Sequence, residues 1–312
     1  MNPALSVIFF TTASGGGYFL LALMGGLGAL GLLPSTPGFG LAGFLCGLGM
    51  VTAGLLSSTF HLGHPERAWR ALSQWRSSWL SREGVLAVAA YVPVGGLAVG
   101  WVLLGRIWPV LGLAAAVCCI ATVAATAMIY ASLKPIQRWH NDWVLPNYLL
   151  LGLASGGLWL LLLTRLFQAD APAVAPITLV ALAAAALGKS GYWRFIDRSR
   201  SVATAESATG LGALGSVRLL AAPHTEENYL LKEMGFRIAR KHAAKLRRIA
   251  LISGFAAPLL LVALGLILSG AAGTLLIALA VLANALGTVT ERWLFFAEAK
   301  HTVTLYYGAA QA

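Results

Sequence analysis

Eight long apolar stretches limit the possible folds of this chain more than any other feature. They cover residues 5–33, 39–60, 84–104, 109–132, 146–164, 173–189, 249–269 and 272–296. An α-helix needs roughly 20 mostly apolar residues to cross the hydrocarbon core of a bilayer. The stretches are continuous rather than alternating, which favours spanning helices over barrel strands. The sequence therefore predicts an all-α integral membrane protein, with about eight transmembrane helices bundled in a single membrane domain, residues 1–312.

The composition agrees with a membrane bundle. Charged residues make up 11% of the 312 positions and hydrophobic residues 58%. A soluble domain averages about 25% charged residues. No lysine or arginine precedes Arg67, so the basic segment of a cleavable signal peptide is missing and the first stretch is predicted to be a span. The cysteines Cys46, Cys118 and Cys119 lie inside predicted spans without metal-site spacing, and we expect them to pack between helices.

Basic residues are distributed unevenly between the two sides of the predicted bundle. Of the 22 lysines and arginines, 20 fall in the loops 61–83 and 133–145, in the segment 189–248 and in the C-terminal tail. Arg106 and Arg165 lie on the other side. Because cytoplasmic loops carry the excess of lysine and arginine, we expect both termini in the cytoplasm. We attribute the net charge of +11 to this orientation and to anionic membrane lipid rather than to nucleic acid.

The segment 190–248 is expected to form a long cytoplasmic loop between helices six and seven. From His224 onwards it is predicted to contain an amphipathic basic helix. Thr225 suits the N-cap of this helix, and its basic cluster suits the C-terminal end. One face is apolar, so the helix is expected to lie on the membrane surface or against a partner protein, and these two roles are compatible.

Several kinds of membrane chemistry fit the sequence poorly. A transporter or ion pump needs polar residues near the bilayer midplane, and the spans contain few besides Asn284. None of the six histidines lies in the middle of a span, which disfavours haem ligation. The set of His61, His64 and Glu83 lacks the spacing of known zinc sites.

Polar groups instead gather at the ends of the spans on the basic side. A quinone needs an apolar slot, donors to its carbonyl oxygens and a route for protons. A histidine can donate to a carbonyl and titrates near neutrality, and a partly buried glutamate can pass protons. The sequence therefore allows a quinone site at this membrane depth. The residues considered are His61, Glu83, Tyr130, Trp139, His140, Trp143, Glu291, Arg292 and His301.

The same residues also suit structural roles. Glu83 is a favourable acid near a helix N-terminus. The four arginines of the loop 61–83 suit the control of topology and the binding of lipid headgroups, and its tryptophans suit interfacial anchoring. The residues alone leave both interpretations open.

Two motifs in this region resemble a known family. HLGHPERAW at 61–69, followed by LSREG at 80–84, resembles the H-L-G-x-P-x-R-A … L-S-x-E pattern of the DmsC family, the membrane anchor subunits of dimethyl sulfoxide reductase. ERWLFFAEAKH at 291–301 is more loosely similar to its E-x-x-G-R-x-x-F-Y region. The resemblance extends over essentially the whole chain. It implies an eight-span anchor in the bacterial inner membrane that holds a four-cluster iron–sulfur subunit and a molybdopterin catalytic subunit.

The resemblance also implies which residues bind quinone, either ubiquinone or menaquinone. His61 and Glu83 match the histidine and glutamate of the family's quinol site, with Glu83 as the proton relay. Arg67 matches a further motif position, whereas His64 departs from the pattern and receives no role. The position at the span ends adds Tyr130, Arg292 and His301. The chain itself is expected to be a non-catalytic subunit of an oxidoreductase, without haem, iron–sulfur cluster or molybdenum.

The charge pattern favours one branch of this family. The first interhelical loop is charged in the reductase type, which faces the periplasm, but here PSTPGFG at 34–40 is uncharged. The segments 128–148 and 227–245 look similar to the SoeC branch, which anchors cytoplasm-facing sulfite dehydrogenases. We therefore expect a subunit that passes electrons from cytoplasmic sulfite oxidation to the quinone pool. Two alternatives stay open, a quinol-oxidising anchor of the DMSO reductase type and a purely structural anchor without a quinone site.

Overall fold

A computed structural model describes residues 5–59, 62, 64–199, 203–221 and 237–307. Within these residues, eight helices are long and apolar enough to cross a membrane, which confirms the predicted bundle. We number them α1 to α8. They are α1 (Leu5–Ala29), α2 (Pro37–Thr59), α3 (Trp79–Leu103), α4 (Pro109–Ala131), α5 (Val144–Leu166), α6 (Val174–Arg198), α7 (Ala243–Ile267) and α8 (Gly270–Ala297).

Helix α1 lies at the centre of the bundle, against α2, α4 and α5. Glycine makes these contacts close. A Cβ on Gly25 would collide with the backbone carbonyl of Gly112 on α4, and a Cβ on Gly156 of α5 would collide with the backbone at Phe19 and Leu20. Small residues allow helix backbones to approach in this way, which drives association where no water is present to be expelled.

Helices α3 and α7 each contain a π-helical turn. The turn Val99–Leu103 ends α3, and the turn Ile252–Ala256 lies in α7 just before Pro258. Proline lacks an N–H and cannot continue the α-helical ladder, so a local change of pitch is expected beside it. In α7 the Gly254 carbonyl of this turn accepts a hydrogen bond from Nδ2 of Asn284 on α8, at 2.8 Å.

Three helices extend beyond their predicted bounds at the basic side. Helix α6 continues to Arg198 instead of ending at 189, and α7 begins at Ala243 instead of 249. Helix α3 begins at Trp79 rather than 84, so Glu83 lies inside the helix. The connection between α6 and α7 is correspondingly shorter than predicted.

The connection between α2 and α3 contains a 3₁₀ helix, Pro65–Gln74. Two side chains of α3 hold it. The Ser81 hydroxyl donates to the Ala71 carbonyl, and the Arg82 guanidinium donates to the carbonyls of Trp75 and Arg76 at 3.0 and 2.7 Å. The start of α3 is therefore fixed to the loop that precedes it.

The α6–α7 connection is described in part. It contains a short helix, Ala205–Thr209, with a Thr204 capping box, and a later turn of helix, Arg237–Lys241. Most of the predicted amphipathic helix, including Thr225, lies outside the described residues. Its last part is helical, with a break at His242 before α7 begins.

Because consecutive spans run in opposite directions, the connections alternate between two ends of the bundle. The connections α2–α3, α4–α5 and α6–α7 and the C-terminal tail share one end, which we call the basic end. The other end carries Arg106 and Arg165. Arg165 donates hydrogen bonds to the carbonyls of Gly265 and Leu268, so it closes the turn between α7 and α8.

Candidate functional site

Glu83 lies in the first two turns of α3 and points into the bundle. Only 5% of its surface is exposed. The Thr126 hydroxyl on α4 donates a hydrogen bond to its Oε1. An ionisable side chain inside a membrane bundle is costly and usually marks a functional position.

Two tyrosines and an arginine lie near this carboxyl group. Tyr130 lies one turn beyond Thr126 on α4, and its ring stacks on that of Tyr148 from α5, with centroids 5.9 Å apart and planes at 23°. The guanidinium carbon of Arg292 on α8 is 3.7 Å from the centroid of the Tyr148 ring, a cation–π contact. The Glu83 carboxyl group is within electrostatic range of both tyrosine hydroxyls.

A buried ion pair lies behind the arginine. Lys189 of α6 and Glu291 of α8 are each 1% exposed, and the Lys189 ammonium contacts Oε1 of Glu291. The Arg292 Nε is 3.8 Å from Oε2 of the same carboxylate. The Lys189 ammonium also lies 4.1 Å from the centre of the Tyr192 ring. Buried charges persist only when they are paired, and here each has a partner of opposite sign.

These side chains form one group, which we call the inner polar cluster. Its members are Glu83, Thr126, Tyr130, Tyr148, Lys189, Glu291 and Arg292. The cluster contains two acidic and two basic groups contributed by α3, α6 and α8, joined through α4 and α5. Glu83 is four residues from the start of α3 and Glu291 six from the end of α8. At 1.5 Å per residue, these two acids lie roughly 6–9 Å inside the basic end.

The structure brings three predicted site residues into this cluster, Glu83, Tyr130 and Arg292. His301 lies one aromatic layer further out. Its ring packs edge-on to Trp139, with centroids 5.4 Å apart, and Trp139 in turn contacts Tyr130. Burial and the nearby Arg240 guanidinium lower the pKa of His301 to about 4. His301 is therefore neutral at pH 7 and forms part of the wall around the cluster.

Arg67 is placed elsewhere. It lies on the 3₁₀ helix Pro65–Gln74 with an exposed side chain, and its Nε is 3.6 Å from Oε1 of Glu66. The structure does not bring Arg67 into the inner polar cluster. His61 lies outside the described residues, so its predicted contact with quinone stays a prediction.

Lys189 and Tyr148 are members that the sequence analysis missed. The apolar stretch stops at Lys189, which indicates a loop there, whereas α6 continues past it. A signal for Lys189 was available, because Lys189, Glu291 and Arg292 all lie near span ends on the same predicted side. Ionisable residues near span ends tend to pair inside the bundle. Tyr148, at the start of a span, has the appearance of an interfacial anchor in the sequence.

A small cavity lies beside Tyr148, on the side of the Tyr130–Tyr148 stack that faces Arg292. Its volume is about 10 Å³, and it lies among Asn147, Lys189 and Arg292. This volume suits a single water molecule and not a quinone ring. The Glu83 carboxyl group and its Thr126 partner lie near Tyr130 and Tyr148, outside this cavity. A quinone requires this combination of a hydrogen-bonding acid and a flat apolar surface, so the residues on the Glu83 side fit such a ligand.

The chain matches the family model of the DMSO reductase anchor subunit (DmsC) over residues 3–308. It is also similar to a sulfite dehydrogenase subunit from Allochromatium vinosum. The two are 34% identical over 333 aligned positions, which cover 98% of this chain and 99% of that relative. No solved structure matches the chain.

Proposed function

Because the chain belongs to the DmsC family of membrane anchor subunits, we propose that it transfers electrons between an attached iron–sulfur subunit and a quinone held beside Glu83. Membership makes it the anchor subunit of a complex of the DMSO reductase or sulfite dehydrogenase type. Quinone binding by this chain is the part that we add. The observation behind it is a buried carboxyl group, bonded to Thr126 and near Tyr130 and Tyr148, that lies roughly 6 Å inside the basic end.

Quinone chemistry explains why a carboxyl group is useful here. Reduction of a quinone takes up two electrons, which the iron–sulfur subunit supplies, and two protons, which must come from the aqueous side. Glu83 lies roughly 6 Å inside the basic end, so it can take a proton near the surface and hold it within the apolar interior. A side chain positioned for proton transfer typically accelerates such a step 10²–10⁴-fold.

The remaining members of the inner polar cluster position the site. Arg292 is fixed between the Tyr148 ring and the Glu291 carboxylate, and Lys189 holds Glu291 in turn. A positive charge fixed at this depth stabilises negative charge that develops nearby, because little water screens it. Tyr130 separates this positive region from Glu83 and offers its ring to a flat ligand.

We assign the direction of electron flow from the similarity to the sulfite dehydrogenase relative. In this proposal electrons pass from sulfite oxidation to the quinone pool. The molybdopterin catalytic subunit and the four-cluster iron–sulfur subunit dock at the basic end, and this end faces the cytoplasm of a bacterium. The uneven distribution of lysine and arginine supports the orientation.

The proposal is tested by Glu83→Gln in the assembled complex. We expect quinone-linked turnover to fall about 100-fold, because the amide cannot release a proton. Turnover with a soluble dye that accepts electrons upstream of the quinone should not change. Asp142→Asn is the matched control, since Asp142 is an exposed acid at the basic end, and it should leave both activities intact.

His61→Ala tests the other half of the family motif in the same assay. Normal quinone kinetics in both the Glu83 and His61 variants would refute the site. Titration of a quinone analogue into the purified chain then separates a quinone site from a purely structural anchor, because only the former predicts binding to the isolated protein.

A further inference from the structure

A separate and larger cavity opens at the basic end, away from the inner polar cluster. Its volume is about 480 Å³. The walls come from the α4–α5 connection, the last turns of α6, the short helix Ala205–Thr209 and the tail after α8. The proposed quinone chemistry assigns no role to this space.

Positive charge dominates the lining. Lys134, Arg138 and Lys300 contribute side chains, together with His140, and the described residues that line the cavity include no carboxylate. Among the described residues, no acidic side chain pairs with Lys134 or Lys300. The Arg138 guanidinium donates to the backbone carbonyl of Glu298, at 2.7 Å, and the ion pairs between described residues do not include it.

The basic groups are close enough to repel one another. Partial burial, and then the charges of Arg138 and Arg240, lower the pKa of Lys300. Such crowding of like charges is unfavourable unless something negative is bound between them. The hydroxyl groups of Ser207 and Thr302 also line the cavity, but they already donate to the carbonyls of Thr204 and Pro135. The cationic side chains are therefore the donors left for a ligand.

The cavity also lies at a defined membrane level. Lys134 follows the end of α4 by three residues and Lys300 follows the end of α8 by three. The last turns of α6 contribute Phe195 and Ile196 as apolar wall. Side chains just outside the ends of spanning helices are level with the lipid phosphates, whereas those inside are level with the acyl chains.

We propose that this cavity binds a phosphate-type oxyanion, with the lysines and Arg138 around the oxygen atoms. Two sources of this chemistry are available at this level, the headgroup of an anionic phospholipid and free phosphate. Hydrogen bonds between cationic side chains and phosphate oxygens are short and roughly twice as strong as neutral ones. The apolar wall beside Phe195 gives room for the glycerol and acyl portion when the source is a lipid.

The test uses two double variants that remove the same charge. Lys134→Gln/Lys300→Gln removes two cations from the cavity. Lys245→Gln/Arg248→Gln removes two exposed cations from the same end of the bundle but outside the cavity. The purified full chain is titrated with dioleoyl phosphatidylglycerol in a neutral detergent, and bound lipid is counted by native mass spectrometry. Inorganic phosphate alone is titrated in a parallel experiment.

We expect the cavity variant to bind phosphatidylglycerol roughly tenfold more weakly than the unmodified chain, and the control to differ by less than about twofold. Lipid binding without phosphate binding identifies the headgroup as the source, and phosphate binding without lipid binding identifies the free ion. Both results support the oxyanion site. The unfolding temperature without lipid verifies that the cavity variant is folded.

Three results would overturn the proposal. The first is an equal loss in the two double variants, which would indicate attraction to the basic end in general. The second is that neither phosphatidylglycerol nor inorganic phosphate binds to the unmodified chain. The third is unchanged lipid and phosphate binding combined with release of partner proteins from the purified complex, which would assign the cavity to protein docking instead.

Discussion

Lys189 and Glu291 show how single residues set the internal order of this bundle. Both are almost completely inaccessible, and they connect α6 to α8. Removing two charges from water costs several kcal/mol per ion, which their attraction only roughly offsets. The pair therefore contributes little net stability, but either partner alone would be very unfavourable. Its benefit is that Arg292, beside the same carboxylate, is held against Tyr148.

Lys189→Met should destabilise the chain by about 3–5 kcal/mol, because it leaves the Glu291 carboxylate buried without its main partner. Lys189→Met/Glu291→Leu should recover part of this loss, since both charges are then gone. Denaturant unfolding in detergent measures the two values, with the exposed Lys241→Gln as control. A double variant that is no more stable than Lys189→Met would contradict the paired role.

His301 gives a prediction about pH. Burial and Arg240 lower its pKa in the folded chain to about 4, against about 6.5 in the unfolded chain. Between these values the unfolded chain binds more protons, so stability falls as the pH is lowered from 6.5 towards 4. His301→Gln should remove this part of the pH dependence while Asp142→Asn retains it. Unfolding temperatures measured between pH 6.5 and 4 test this prediction. The assignment would be wrong if lowering the pH destabilised the His301 variant as much as the unmodified chain.

At the scale of elements, Asn284 connects three helices around the π turn of α7. Its amide donates to the Gly254 carbonyl, and its Oδ1 accepts a hydrogen bond from the Ser155 hydroxyl of α5, both at 2.8 Å. The carbonyl of an irregular turn inside a membrane needs such a partner, because no lipid group can donate to it. The Asn284 amide on α8 therefore supplies the partner that this carbonyl in the π turn of α7 needs.

Asn284→Ala should lower stability by about 0.6–1.7 kcal/mol, the range measured for hydrogen bonds between membrane helices. Thr290→Ala on the same helix is the control, because the Thr290 hydroxyl is exposed and bonds to the Leu286 carbonyl of its own helix. Unfolding in detergent compares the two. Equal effects would mean that Asn284 contributes only its helix propensity.

The eight helices could be predicted from the sequence, but several of their ends could not. Apolar stretches identify spans because each polar residue transferred into the bilayer core costs free energy. A charged residue stops such a stretch, so hydropathy ends helix six at Lys189. The contact of Lys189 with Glu291 and the salt bridge of Asp197 with Arg247 hold the further turns of this helix in place. Helix α3 starts early for a similar reason, because Arg82 and Ser81 are bonded to the preceding loop. Long-range partners, which local hydropathy does not contain, decide both ends.

The candidate site was predictable to a similar degree. Glu83 and Arg292 could be identified because acids and bases are rare in membrane spans, and the family motif pointed to Glu83 independently. Arg67 shares the motif with Glu83 but lies on the exposed 3₁₀ helix, so a position in a pattern does not determine a position in space. Tyr148 has no unusual neighbours in the sequence, and its contact with Arg292 follows only from the packing of α5 on α8.

At the scale of the whole molecule, the two ends of the bundle differ in their buried polar groups and in their connections. The basic end holds the inner polar cluster just below its surface, and the 480 Å³ cavity and the C-terminal tail lie at the same end. The other end has short connections closed by backbone contacts of Arg165. In the proposed function, electrons, protons and the oxyanion all reach the chain at the basic end.

Fusions to reporters test which side this is. We expect alkaline phosphatase, which is active only in the periplasm, to be silent after residue 312 and within 212–215, and active within 34–36 and 168–172. Green fluorescent protein, which fluoresces in the cytoplasm after this mode of insertion, should give the opposite pattern. The expectation follows from the positive-inside rule, since the sequence predicts 20 of the 22 basic residues on this side.

The reversed pattern would have a specific consequence. Active phosphatase at the C-terminus would place the basic end in the periplasm, so the catalytic partners would have to be exported and would meet the quinone site from that side. The proposed flow of electrons from cytoplasmic sulfite would then fail, although Glu83, Arg292 and the ion pair behind them would still form the same cluster.

Because the positive-inside rule counts charges in short loops most strongly, replacing Arg67, Arg70 and Arg76 by Gln should weaken the orientation more than the same number of changes in the long α6–α7 connection. Mixed reporter signals from the loop variant alone would establish that the first charged loop sets the topology.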